Sequence, residues 1–137
     1  MNKNFFEIIN ASFKVGGEIK VNNISFSIEN EGDIICLLGP SGIGKTTILR
    51  SIAGLEKIET GSIKLKGKTL SSNEINIEPE DRNISLSFQE NSLFPHFTVE
   101  ENINLGKIRK NSGKKKKINI KKIIKLLNIG KILQHYP

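Results

Sequence analysis

The fold of this chain is decided by the nine residues Gly39-Pro40-Ser41-Gly42-Ile43-Gly44-Lys45-Thr46-Thr47. They match the pattern G-x-x-x-x-G-K-[ST] at all four fixed positions, and this pattern is typical of a phosphate-binding loop. The apolar run 33–38 before them predicts a short buried strand, and residues 47–53 after them carry apolar side chains at helical spacing. Gly54 is suited to end that helix. Strand, glycine-rich loop and helix is the order in which such a loop occurs.

The chemistry of this loop is the capture of an anion. Its three glycines allow the backbone to turn N–H groups onto a chain of phosphates. The helix that begins near Gly44 adds the positive end of its dipole, about half an elementary charge. Lys45 is suited to the β- and γ-phosphate oxygens, the Thr46 hydroxyl to Mg²⁺, and Thr47 to the α-phosphate. The loop therefore predicts binding of a nucleoside triphosphate. The alternative, a Gly-Ser turn with a solvated lysine, is disfavoured by the flanking strand and helix.

The length and composition of the chain fit one soluble domain with a moderate core, since it has 137 residues and ordinary charged and apolar fractions. Its longest apolar run, residues 34–38, is far shorter than the roughly 18 residues that a membrane helix needs. The start of the chain does not have the pattern of a secretory leader. Cys36 lies in the predicted buried strand, and a single cysteine fits a reducing compartment.

The charge of the chain is unevenly distributed. Residues 107–137 hold eleven Lys or Arg and no acidic residue, whereas residues 1–106 hold ten basic and fourteen acidic side chains. Such a basic end suits nucleic acid or anionic lipid headgroups, but a solvated loop and helix face is the commoner meaning. No aromatic residue alternates with the lysines of 114–117, so the sequence does not favour nucleic acid as a partner.

The remaining pattern predicts mixed strands and helices. Strands are expected at 5–13 and 19–28 with a turn at Gly16-Gly17, at 61–68 with a turn at Gly67, and at 84–88; residues 71–82 are expected to be a loop. Thr98 and Glu101 form a capping box for a helix that runs to Leu105 and ends at Gly106. After a polar linker, residues 107–117, a further helix is expected over 118–128, ended by Gly130.

These motifs resemble those of the nucleotide-binding subunit of ATP-binding cassette (ABC) transporters over nearly the whole chain, from about Phe5 to Pro137. Residues 39–47 resemble the Walker A loop of that family, and residues 61–67 resemble the hairpin that follows it. Ser87-Phe88-Gln89 is similar to the end of the strand that carries the Q-loop glutamine. The stretch Leu93-Phe94-Pro95-His96-Phe97-Thr98-Val99-Glu100-Glu101-Asn102-Ile103 is similar to a segment of importers of metal ions, oxyanions and polyamines.

The resemblance implies an α/β fold. Its parts are a P-loop NTPase core, present here in part, an N-terminal antiparallel β subdomain and the beginning of a helical subdomain. Residues 1–33 and 57–83 are expected in the antiparallel layer, residues 34–56 and 84–97 in the core, and residues 98–137 at the start of the helical subdomain.

The resemblance also implies a function, the import of a small solute driven by ATP with Mg²⁺. The expected partners are transmembrane permease subunits and a second ATPase subunit, at the inner face of the cytoplasmic membrane. Gln89 would contact the Mg²⁺ and the attacking water, as an amide ligand and hydrogen-bond donor. Phe94 and Phe97 would face the membrane partner or cap the local core, and His96 between them is expected to be exposed.

Adenine in this family usually stacks on an aromatic residue upstream of Walker A. Phe13 is the candidate because stacking requires a flat ring. The spacing to the loop places Val15 nearer that position, and core packing of Phe13 is the alternative.

The resemblance ends at Pro137, before the signature motif, the Walker B aspartate, the catalytic glutamate and the switch histidine of the family. Hydrolysis needs a carboxylate that polarises water and a group that binds the γ-phosphate, so no complete catalytic set is expected here. We therefore expect the N-terminal part of a transporter ATPase, truncated or a fragment. It would bind ATP without efficient hydrolysis and expose strand edges.

Two other interpretations stay open. A small complete P-loop phosphotransferase would need an acidic Mg²⁺ ligand after an apolar strand, and no such pattern follows Gln89. A nucleic-acid-binding module would use residues 107–131, and salt-sensitive DNA binding without ATP binding would favour it.

Overall fold

The computed structural model of the chain describes residues 4–88, 92–105 and 119–137. Its contacts divide the chain into two units, Met1–Leu86 and Ser87–Pro137. The first unit contains a four-stranded sheet and a helix, and the described part of the second contains two short helices. None of the described helices is long and apolar enough to cross a membrane.

The sheet is antiparallel throughout. Its strands are β1 (Phe6–Val15), β2 (Glu18–Ile28), β3 (Thr60–Leu65) and β4 (Lys68–Ser71), in the order β2-β1-β3-β4. The predicted strands at 5–13, 19–28 and 61–68 are confirmed with small changes in their ends. A tight turn at residues 16–17 connects β1 to β2, and a second at residues 66–67 connects β3 to β4, as the glycines there predicted.

The alternation of β1 changes phase in the middle of the strand. Phe6 and Ile8 are buried, and then Ala11 and Phe13, so two exposed residues in succession separate the pairs. The pairing of β1 with β2 shifts between Ile8 and Ala11, and Asn10 there has a φ of +47°. Asn tolerates this left-handed conformation better than most residues. The irregularity thus returns the apolar side chains to the core, which consists of Phe6, Ile8, Ala11, Phe13, Val21, Ile48, Ile58, Ile63 and Leu70.

One helix, α1 (Lys45–Ala53), follows the predicted phosphate loop. It contributes Ile48 to the core. It ends at Gly54, which has a φ of +90°, and the Gly54 N–H donates to the carbonyls of the last turn. The helix and its glycine terminus confirm the prediction from residues 47–54.

Besides Gly54, the Arg82 side chain donates to two carbonyls at the end of α1, those of Ser51 and Ile52. Its side chain is only 1% exposed and follows a one-turn 3₁₀-helix, Pro79–Asp81. The guanidinium donates five hydrogen bonds, to the oxygens Ile77 O (2.6 Å), Ser51 O (2.8 Å), Ile52 O (3.1 Å), Ser71 Oγ (2.8 Å) and Asn76 Oδ1 (2.8 Å). Burial lowers the pKa of Arg82, and the charge of Glu78 raises it. The cation lies at the negative end of the α1 dipole, where a positive charge is favourable.

Two predicted strands do not form. Residues 33–38 and 84–88 have no regular secondary structure. A strand requires a hydrogen-bonded neighbour, and the described ladders include only β1 to β4. Ile34 is 90% exposed, and Cys36, predicted to be buried, is exposed. Ile35, Leu37 and Ile84 instead line one side of an apolar cleft of about 320 Å³ against the sheet and α1.

The second unit begins with a confirmed capping box at α2 (Val99–Leu105). The Thr98 N–H donates to Glu101 Oε2 at 2.7 Å, and the Glu101 N–H donates to Thr98 Oγ1 at 3.3 Å. The N–H and then the hydroxyl of Thr98 hold the pKa of Glu101 below its usual value. The predicted helix end at Gly106 lies outside the described residues.

The first turn of α2 is also tied to a distant segment of the chain. The Val99 N–H donates to His135 O and the Glu100 N–H to Leu133 O, both at 2.9 Å. Gln134 Nε2 donates to Glu100 Oε2 at 2.7 Å. These carbonyls satisfy N–H groups that a helix start leaves without an intrahelical partner.

The other helix of this unit is α3 (Ile120–Leu126), which lies inside the predicted helix 118–128. The Asn119 side chain caps it by accepting from the Lys122 N–H at 3.1 Å. The helix ends at Leu126, earlier than predicted, with Leu127 as its C-cap, and Gly130 begins a short 3₁₀-helix, Gly130–Ile132.

Candidate phosphate-binding loop

The loop of residues 39–47 leads directly into α1, and Gly44 sets the entry angle. Gly44 is buried and has a φ of +106°, a conformation that side chains with a Cβ adopt at a cost of about 1–2 kcal/mol. Its carbonyl accepts from the Ile48 N–H at 3.0 Å, the first hydrogen bond of the helix. The N–H groups of the first helical turn have no intrahelical acceptor. A helix start of this kind favours an anion.

Lys45 holds the loop closed around its own ammonium group. Lys45 Nζ donates to Gly39 O at 2.7 Å and to Pro40 O at 2.6 Å. The cation is therefore anchored by the first two residues of the loop, while Ser41, Gly42 and the neighbouring backbone are exposed. An ammonium carries three donors, so one remains for an incoming anion. The geometry places a positive charge at the centre of a backbone cradle.

The two threonines after Lys45 differ in exposure. Thr46 is exposed and Thr47 is half-buried on the first turn of α1. No group of three or more His, Cys, Asp or Glu side chains arranged to hold a metal occurs in the described ranges 4–88, 92–105 and 119–137.

Phe13 occupies the core and not the surface near the loop. Its ring is 0% exposed and belongs to the buried cluster between the sheet and α1. Stacking on a purine requires an open ring face, so in this structure Phe13 does not serve as the predicted adenine platform. The alternative of core packing is the one observed. For Val15 the structure describes the backbone only.

The other predicted site residues lie outside the first unit. Gln89 falls outside the described residues, so its predicted role stays a prediction. Phe94, His96 and Phe97 form a ring cluster with centroids 4.4–5.8 Å apart. Phe94 is 51% exposed and His96 is exposed, as predicted for the histidine.

Two polar residues that the sequence patterns did not indicate stabilise the end of α1 and the 94–98 loop. Arg82 fixes the end of α1, as described above. The two N–H groups of Asn102 Nδ2 are shared among the carbonyls of Phe94, Phe97 and Thr98, at 3.0–3.1 Å, and Asn102 Oδ1 accepts from the Phe94 N–H at 2.8 Å. One amide therefore holds the whole 94–98 loop. The only sequence signal near Asn102 is the capping box of Thr98 and Glu101 directly before it, and a capping box does not predict this role.

Comparison with known proteins gives a family match. The family model described as "ABC transporter" matches residues 21–137. The iron(III) import ATP-binding protein FbpC of Fusobacterium nucleatum is 41% identical over 132 residues, which cover 96% of this chain and 34% of that protein. The probable sulfate/thiosulfate import ATP-binding protein CysA of Chlorella vulgaris is 38% identical, and the match covers 95% of this chain and 53% of that protein. The spermidine/putrescine protein PotA of Haemophilus influenzae is 40% identical, with coverages of 77% and 27%.

Solved structures agree in fold. A nucleotide-free ATP-binding cassette from an ABC transporter has a TM-score of 0.72 at 23% identity, covering 97% of this chain and 57% of its own. The ADP conformation of an ATP-binding cassette gives the same values. The likeness confirms the predicted fold class, a partial α/β P-loop NTPase with an antiparallel β subdomain. The chain spans roughly a quarter to a half of the length of the curated relatives above.

Proposed function

Because the chain belongs to the ABC transporter family, we propose that it is the ATP-binding component of an importer, with residues 39–47 as its triphosphate site. The observation that carries the proposal is the position of the Lys45 ammonium, 2.6–2.7 Å from two loop carbonyls, on the first residue of α1. A cation, free N–H groups and a helix N-terminus converge on one exposed cradle. Each favours a polyphosphate anion.

Each residue of the loop has a proposed contact. The backbone N–H groups of Gly42 to Lys45 donate to phosphate oxygens, and Lys45 exchanges its carbonyl acceptors for the β- and γ-phosphate oxygens. Thr47 donates to the α-phosphate. The Thr46 hydroxyl and the Gln89 amide are the proposed protein ligands of Mg²⁺, which would neutralise charge on the phosphates when bound.

For the 137-residue chain tested by itself, we propose ATP binding without efficient hydrolysis. Polarising the attacking water requires a positioned carboxylate or another general base. In the described ranges, the hydrogen bonds to residues 39–47 come from Lys45 and the backbone, and no acidic side chain joins them. Slow turnover with intact binding is the expected behaviour.

The proposed partners are transmembrane permease subunits and a second ATPase subunit, at the inner face of the cytoplasmic membrane. The relatives named above are import ATP-binding proteins for different solutes, so the proposal extends to import of a small solute and not to its identity. The exposed Leu93 and the ring cluster of Phe94, His96 and Phe97 are the proposed contact surface for the permease.

The test is a calorimetric titration of the chain with ATP and Mg²⁺. Lys45→Met should weaken binding at least about tenfold, because it removes the only side-chain cation that contacts the loop within the described residues. Lys14→Met is the matched control, since Lys14 pairs with Glu59 on the surface. Equal affinities for the unaltered chain and Lys45→Met would refute the site. A phosphate-release assay on the same samples tests the proposed slow hydrolysis.

A further inference from the structure

We infer that this site reads the triphosphate and not the base, so that ATP, GTP, CTP and inorganic triphosphate bind the chain with similar affinity. The inference rests on the proposed function and deepens it, because it names the ligand class as a magnesium triphosphate with any or no nucleoside attached. It follows from the packing of the aromatic rings of the first unit.

A nucleobase contributes to affinity mainly when it stacks on a flat side chain. Stacking of one base on an aromatic ring raises affinity by a factor of about 5 to 150. Such a contact needs a ring with one face open to the ligand. The question is therefore whether the unit that contains the loop has such a ring.

Residues 4–86 contain four aromatic side chains, all phenylalanines, and each already packs against the protein. Phe13 is fully buried, and Phe6 is 6% exposed. Phe26 packs against Phe6 with ring centroids 6.0 Å apart. Phe5 lies beneath Lys66 Nζ, 4.9 Å from the ring centroid, and lines the apolar cleft. Phe5, Phe6 and Phe26 all line the apolar cleft, and the lining of that cleft includes none of residues 39–47.

The groups that the loop does present are all donors to oxygen anions. They are backbone N–H groups, the Lys45 ammonium and the hydroxyls of Thr46 and Thr47. These groups bind oxygens that ATP, GTP and inorganic triphosphate share. The free energy of binding is therefore concentrated on the part of the ligand that does not change between nucleotides.

The experiment compares four ligands on one protein sample, with ATP, GTP, CTP and inorganic triphosphate titrated at fixed free Mg²⁺ and ionic strength. We expect dissociation constants within about threefold of one another, well below the factor that one stacked base contributes. An affinity for ATP more than about tenfold above that for inorganic triphosphate would overturn the inference and leave the proposed function standing. Failure of all four ligands to bind would overturn both.

A variant tests the ring that the sequence had suggested. In Phe13→Leu, the ratio of the ATP and inorganic triphosphate affinities should equal that of the unaltered chain. The ratio is read on one sample, so a partial loss of folded protein cancels from it. A fall of the ATP affinity alone would show that Phe13 contacts the base, and the inference would then be wrong. If the variant does not fold, the four-ligand comparison on the unaltered chain still decides.

Discussion

Replacing Arg82 by Met removes the hydrogen bonds that join the end of α1 to the β4 region. The Arg82 side chain is 1% exposed and donates five hydrogen bonds, and methionine fills a similar volume but donates none. The Ser51 carbonyl would keep the Gly54 N–H as a donor, at 3.1 Å, but the Ile52 and Ile77 carbonyls would lose the donor that Arg82 provides. Hydrogen bonds to a charged group contribute about 1.5–3 kcal/mol each.

The net loss is smaller than the sum of these bonds, because burying a guanidinium is itself unfavourable, as its lowered pKa indicates. Each acceptor that stays buried without a donor costs about 1–3 kcal/mol, so we expect Arg82→Met to lower the unfolding free energy by about 3–5 kcal/mol. The total stability of a domain is about 5–15 kcal/mol, so the variant should be close to unfolding.

The assay is urea unfolding followed by far-ultraviolet circular dichroism, since the chain has no tryptophan. Arg50→Met is the matched control on the same helix: its ion pair with Glu56, at 3.2 Å, is on the surface and should contribute about 0–1 kcal/mol. Arg82→Lys keeps the charge with three donors and should fall between the two. Equal midpoints for Arg82→Met and Arg50→Met would refute the reasoning.

Three further predictions concern local geometry. Gly54→Ala should destabilise the chain by about 1–3 kcal/mol more than Gly17→Ala in urea unfolding, because both glycines have a φ of +90° but only a Cβ at Gly54 would meet a neighbour, at 2.5 Å; equal losses would contradict this. Asn102→Asp should speed amide exchange across the 94–98 loop by removing the two N–H donors that three carbonyls share, whereas Asn119→Asp, whose side chain only accepts, should change little; hydrogen exchange with mass spectrometry measures both. Cys36 should react with a thiol reagent in the native chain nearly as fast as in urea, and strong native protection would show that residues 33–38 are covered.

Features that depend on a few neighbouring residues could be predicted from the sequence. The Gly16-Gly17 turn, the end of α1 at Gly54 and the capping box of Thr98 and Glu101 all appear where the sequence placed them. In each case the hydrogen-bond partners lie within a few residues, so the local pattern contains the information.

Features that depend on distant partners could not be predicted in the same way. The apolar pattern of 33–38 and 84–88 fits a strand, but a strand exists only where a neighbour pairs with it. The burial of Phe13 depends on a shift of register between β1 and β2, which the sequence does not indicate. The sequence therefore left Phe13 as a candidate for stacking on adenine. The acceptors of Arg82 lie up to 31 residues away, and no spacing rule connects them.

The hydrogen bonds between the start of α2 and residues 133–135 can form only late when the chain folds during synthesis. Residues 99 and 100 leave the ribosome more than thirty residues before Leu133 and His135, a delay of about 2–7 seconds at ordinary elongation rates. During that interval the N–H groups of Val99 and Glu100 lack these acceptors, while β1 and β2, joined by a two-residue turn, have every pairing partner available. The nascent chain therefore completes its first hairpin early and the start of α2 late.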